Sequence, residues 1–176
     1  FSFDGPYEPA KGLLFNEENV LLDPYSRAVT GQRKWGEKPE GGKDFEYRAR
    51  VVKSSFDWGN IKQLEQPFED LVIYETHVRG YTKDKSSGVS APGTFAGLKD
   101  KIPYLKDLGI NAVELMPIFE FDEMESARVV DGVQLYNYWG YNTVSFFAPN
   151  TSYAFNEAHN HEGDELKSLI KALKEN

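Results

Sequence analysis

The stretch from Asp70 to Pro117 constrains the fold more than any other part of the sequence. Leu71-Val72-Ile73-Tyr74-Glu75-Thr76-His77-Val78 is rich in β-branched and apolar residues, the pattern of a strand buried on both faces. Lys83–Pro92 is a polar Ser/Gly loop. Thr94 then stands as an N-cap before Phe95, Leu98, Ile102, Leu105 and Leu108, whose spacing traces one face of a helix. Pro103 falls inside that run and removes a backbone hydrogen bond, so the helix should kink or start in two pieces. Gly109 stops it in the C′ role, and Ile110-Asn111-Ala112-Val113-Glu114-Leu115-Met116 is a second strand closed by Pro117. Strand, helix, strand is a parallel crossover.

The flanks extend this unit unequally. Phe119 to about Glu162 is too long for a plain connection and is expected to be functional. Leu166, Leu169, Ile170 and Leu173 follow at helix spacing, with Asp164 and Glu165 favourably placed in the first turn. Residues 69–176 therefore read as two βα units, which cannot close a sheet by themselves. Residues 1–68 read differently. They are punctuated by Asp4-Gly5-Pro6, Pro9, Gly12 and the turn at Asp23-Pro24, and Glu37–Lys43 is a polar loop. Phe45–Val52 alternates as an exposed strand would, and no helix of normal length fits before about residue 60. The sequence opens at Phe1 rather than Met, without the build of a secretion signal. It closes inside a helical pattern at Lys174-Glu175-Asn176, so it reads as a piece of a longer protein.

Composition removes several function classes. With 40% hydrophobic and 14% aromatic residues the chain has enough apolar surface to fold. A net charge of −8 argues against a reader of phosphate backbones. The absence of cysteine excludes disulfides, a thiolate nucleophile and a sulfur-ligated metal. No apolar run reaches the roughly 18 residues that a membrane helix needs.

Among residues that could carry chemistry, His159 and His161 could share an ion, but two ligands without a third fit a surface loop better. His77 reads as a satisfied core or barrel-mouth histidine. Asp122-Glu123 and Glu125, with Glu120 before them, could hold a cation through oxygen, although a solvated loop face is the simpler account. Glu75 and Glu114 lie inside strands, where a structural ion pair or hydrogen bond is expected. The strongest local feature is Tyr136-Asn137-Tyr138-Trp139-Gly140-Tyr141-Asn142, followed by Phe146-Phe147-Ala148-Pro149-Asn150. Flat rings beside amides suit the C–H faces and hydroxyl rims of sugars. A core aromatic cluster accounts for the same residues equally well.

Four segments carry a resemblance. Tyr74–Thr82, Gly93-Thr94-Phe95-Ala96-Gly97-Leu98, Gly109–Pro117 and Asn137–Asn142 together resemble the opening of the catalytic barrel of isoamylase-type debranching enzymes of the α-amylase family. Gly5-Pro6 and Leu21–Ala28 resemble the end of the starch-binding module that precedes it. The resemblance implies an α/β fold: an incomplete (β/α)8 TIM barrel, comprising its first two βα units over 69–176, after the end of a β-sandwich over 1–68. It implies retaining hydrolysis of α-1,6 branch linkages in glycogen, amylopectin or limit dextrin, through a carboxylate nucleophile and a carboxylic acid/base. Tyr141 matches the tyrosine that stacks under the reacting sugar, and Pro117 matches the end of the second barrel strand. Trp139, Tyr138 and Asn142 would line the same wall. No cofactor, metal, nucleic acid or membrane is implied.

The next motif of that family, Asp-Val-Val-x-Asn-His on the third strand, is not matched, so no catalytic residue is expected in this chain and the chain alone should be inactive. A branching enzyme, a pullulanase and a non-catalytic glucan-binding protein are the alternatives. A cytoplasmic location, or a plastid in a plant or alga, would follow.

Overall fold

The computed structural model describes residues 1–32, 34–37, 47–158 and 161–176. Strand β3 (Ile73–Thr76) and strand β4 (Ala112–Leu115) pair in parallel, Ile73 opposite Ala112 through Thr76 opposite Leu115. Before them, β1 (Phe3–Glu8) and β2 (Leu13–Asn16) form an antiparallel hairpin closed by a 3-10 turn and Gly12 at φ +75°. The β3–β4 crossover runs through three short helices, α1 (Val78–Thr82), α2 (Phe95–Lys99) and α3 (Ile102–Asp107). Thr94 caps α2 by accepting from the Gly97 N–H, and Pro103 stands in the first turn of α3, so the expected helix does begin in two pieces. Gly109, at φ +87°, closes it in the left-handed conformation that an L side chain resists.

Four expectations need correction here. The β3 segment is buried on one face rather than two. Tyr74 and Thr76 turn inward while Ile73 remains 51% exposed, because β4 is the single strand paired with it and the helices cover one side. His77 and Val78 leave the strand: His77 caps α1 and Val78 begins it. The helical stripe ends at Leu105; Leu108 is half exposed because it is the C-cap of α3 and has turned off the buried face. Phe45 and Glu46 of the expected 45–52 strand, like most of the 37–43 loop, lie outside the described residues. The remainder of that strand reduces to one antiparallel bridge, Val29 opposite Ala49, after which Arg50 turns to the Val29 carbonyl and to Glu162.

The 119–162 excursion contains structure of its own. β5 (Phe119–Phe121) pairs antiparallel with β8 (Thr143–Pro149), and β6 (Arg128–Val130) pairs with β7 (Val133–Leu135) across a tight turn. That turn is Asp131-Gly132, both at positive φ, the two-residue hairpin chemistry that matches strand twist. Helix α4 (His161–Glu175) starts a turn earlier than expected and presents Leu169 and Ala172 to the core. The core itself joins Val78, Phe95, Leu98, Ile102, Phe121, Tyr153, Leu169 and Ala172. Trp35 packs on it from the N-terminal part, tying that segment to the later elements.

Candidate functional site

The Tyr136–Asn142 loop leaves β7 and returns into β8, and it is held from below by the acidic run. Asn137 donates its N–H to the Glu123 carbonyl at 2.9 Å and its side-chain amide to the Asp122 carbonyl at 3.3 Å. Glu123 in turn accepts from the Gly36 N–H at 2.9 Å, and Asp122 accepts from the Gln32 amide at 2.5 Å. The solvated-face reading of these acids is therefore overturned for Glu120 and Glu123, which are fully buried. The β5–β8 ladder turns Glu120 inward, where it receives the Thr151 N–H at 2.7 Å. Burial pushes the Glu120 carboxyl well above its ordinary range and raises Glu123 to about 7. Glu125 stays exposed and accepts from the Asn142 amide. Among the described residues no group of three or more His, Asp or Glu side chains is arranged to hold a metal ion.

Above this scaffold the aromatic rings divide in two. Trp35 lies parallel to Tyr153 at 6.3 Å and meets the edges of Phe121, Tyr136 and Tyr138. The Arg79 guanidinium covers it at 4.5 Å, a cation–π contact strengthened by partial desolvation. Tyr136 thus belongs to the inner cluster. Tyr138 is at the boundary, stacked on His77 at 4.2 Å with 7° between the planes. Trp139 and Tyr141 face outward, 55% and 69% exposed, and Asn142 is exposed beside them. Gly140 separates them at φ +78°, where an added Cβ would fall 2.5 Å from the Phe121 ring. Only glycine allows that approach together with that dihedral.

The loop and the β6–β7 hairpin border a groove of about 650 Å³, lined by Glu125, Arg128, Gln134, Tyr136, Tyr138 and Asn142 among others. Amide, phenol and guanidinium groups around half-exposed rings offer donors, acceptors and flat faces to a neutral polyhydroxylated ligand. His77, the residue after β3, underlies this wall, which places it at the C-terminal end of the parallel pair.

Other candidates separate from it. Glu75 and Glu114 are register partners on β3 and β4, but both are exposed and, among the described residues, neither has an ion-pair partner. The expected structural ion pair or hydrogen bond is not formed among the described residues. His161 is an exposed residue opening α4, and His159 lies outside the described residues. Pro117 follows β4 by two residues and is half buried. The sequence reading missed Trp35, the hub of the inner cluster; the signal was its rarity, one of three tryptophans, between a basic pair and Gly36.

No protein-family model matches the chain. "Isoamylase 1, chloroplastic" of Arabidopsis thaliana is 39% identical over 97% of this chain and 23% of that protein. The glycogen debranching enzyme of Yersinia enterocolitica is 35% identical over 98% of this chain and 28% of its own length. Among solved structures, pullulanase type I from Bacillus subtilis complexed with maltose matches 88% of this chain and 21% of its own. Its TM-score is 0.65 at 27% identity. The chain thus spans about a quarter of the length of the relatives it matches.

Proposed function

Because the chain is a homologue of isoamylase and glycogen-debranching enzymes over nearly its whole length, we propose that it forms one wall of a site acting on α-1,6-branched glucan. In this reading residues 69–176 are the first two βα units of a (β/α)8 barrel, and residues 1–68 the end of a β-sandwich starch-binding module. The observation that carries the proposal is the Tyr138–Asn142 wall: exposed rings and amides on a backbone pinned from beneath. It stands at the end of a parallel strand, where barrel enzymes keep their sites. Tyr141 takes the place under the reacting sugar, and Trp139, Tyr138 and Asn142 flank it.

The chemistry is retaining glycoside hydrolysis. One carboxylic acid protonates the leaving oxygen while a carboxylate attacks the anomeric carbon, and water then releases the glycosyl-enzyme intermediate. Of the carboxylates considered among the described residues, Glu120 and Glu123 are spent holding backbone, and Glu75 and Glu114 belong to an open sheet face. The chain therefore contributes binding and orientation, and the reacting carboxylates are expected on later strands of the whole protein. A pullulanase is the second reading, favoured by the solved structures that the fold resembles. The compartment is that of the glucan store, cytoplasm or plastid.

Two measurements test this. The 176-residue chain should release no reducing ends from amylopectin, and measurable release would refute the assignment of its carboxylates. In the whole protein, Tyr141→Ala should lower kcat/KM on branched glucan by roughly tenfold to a thousandfold, or about 1.4–4 kcal/mol. Unchanged kinetics would remove the wall from the site, and amylopectin against pullulan as substrate separates the two readings.

A further inference from the structure

His77 makes more contacts than the end of a short helix requires. Its Nδ1 accepts the Gly80 N–H at 3.0 Å, capping α1, a role that Ser, Thr, Asp or Asn fills as well or better. Its Nε2 lies 2.8 Å from the carbonyl oxygen of Tyr138, 61 residues away, and its ring lies flat against the Tyr138 ring. The Tyr138 hydroxyl meanwhile rests over Gly80 so closely that a Cβ there would collide with it. One side chain thus touches the backbone and the ring of the first residue of the exposed wall.

The partners decide the protonation state. A backbone N–H can only donate, so Nδ1 must present its lone pair; a carbonyl can only accept, so Nε2 must carry the proton. The Tyr153 hydroxyl, 3.2 Å from Nε2, is then a second acceptor for that N–H. The imidazolium form would lose the acceptor for Gly80. Burial of the ring, which disfavours the charged form, works in the same direction.

We propose that His77 is a positioning residue: as the neutral Nε2–H tautomer it fixes the backbone and ring of Tyr138, and through them the direction in which Trp139 and Tyr141 face a sugar. At the far end of the same turn Gly140 is seated on Phe121. The outward rings therefore stand on two fixed points, which removes ordering that binding would otherwise have to supply. The sugar-facing part of this inference rests on the glucan reading of the wall; the mechanical part does not.

The informative variant is His77→Asn. Its Oδ1 keeps the cap on Gly80, while the donor to Tyr138 and the flat ring are lost. Amide exchange read by mass spectrometry should quicken about tenfold over Tyr138–Tyr141 and stay unchanged over Val78–Thr82. Affinity for maltotetraose, followed by tryptophan fluorescence, should fall about fivefold or more with the melting temperature held. His77→Gln, which keeps a donor and loses the cap, should loosen Val78–Thr82 instead. Unaltered exchange over Tyr138–Tyr141 in His77→Asn would reduce His77 to a cap and overturn the proposal. Spectra of the unmodified chain labelled with 15N-histidine supply the check that needs no variant: an Nδ1–H tautomer refutes it. If the unmodified chain takes up no maltotetraose while His77→Asn still frees the loop, the glucan reading fails and the positioning role stands.

Discussion

Glu123 binds two loops with opposite ends of one residue, its carbonyl taking Asn137 and its carboxyl taking Gly36. The second carboxyl oxygen is buried without a partner among the described residues. Burial raises the group from 4.5 to about 7, so between those values the folded chain keeps a proton that the unfolded chain releases. Stability contributed at this residue therefore falls as pH rises through that window, and the whole penalty is present above it. Glu123→Gln keeps an acceptor for Gly36 and places a neutral amide where the charge would be. The variant should melt a few degrees higher than the parent at pH 8 and nearly with it at pH 4, as thermal scans at both values would register. Tyr141 is the opposite kind of residue. At 69% exposure, with no ring contact to its neighbours among the described residues, it adds little to folding. Tyr141→Ala in the chain should shift the melting temperature by no more than about 2 °C while weakening maltotetraose uptake. A large loss of stability would return it to the core.

At the scale of elements, the crossover was readable because each signal was local. Thr94 announces α2, Pro103 divides the helix and Gly109 ends it, and each acts through its own backbone. Thr94 also donates to the Ala91 carbonyl at 2.8 Å while accepting from Gly97, so its hydroxyl joins the loop to the helix. Thr94→Ala should cost about 1 kcal/mol, read as a lowered urea midpoint at unchanged slope. The β6–β7 hairpin shows a signal of the same local kind that went unread: Asp131-Gly132 between Val129-Val130 and Val133 predicts a two-residue turn. The start of α4 was less legible. Glu162 lies inside the helix, where Arg50, far away in sequence, forms a buried ion pair with it.

The molecule as a whole leaves its sheets narrow. The described residues form four two-stranded sheets, so each named strand has one free edge. Val72 and Ile73 are half exposed beside the open face of β3 and β4. Free parallel edges with apolar neighbours recruit other strands. The chain should therefore be monomeric when dilute and self-associate as concentration rises, visible as a shift of mass in sedimentation velocity between about 5 and 200 µM. A single monomeric species across that range would mean that these edges are already protected.

The sequence alone determined whatever acts through neighbours in the chain: the parallel crossover, its cap and its break, and the β and loop character of the first part. It also singled out Tyr136–Asn142, where rings and amides alternate within seven residues. Composition and spacing could not say which rings face water. That depends on Trp35, His77, Phe121 and Tyr153, four residues spread over more than a hundred positions that meet beneath the loop. Tertiary structure likewise reversed the acidic run. Charged residues in a long polar excursion read as solvated, yet the paired strands carry Glu120 and Glu123 inward to backbone donors at Thr151 and Gly36. A local pattern fixes dihedral angles and periodicity. Burial is set by what packs on top, and here that comes from the other end of the chain.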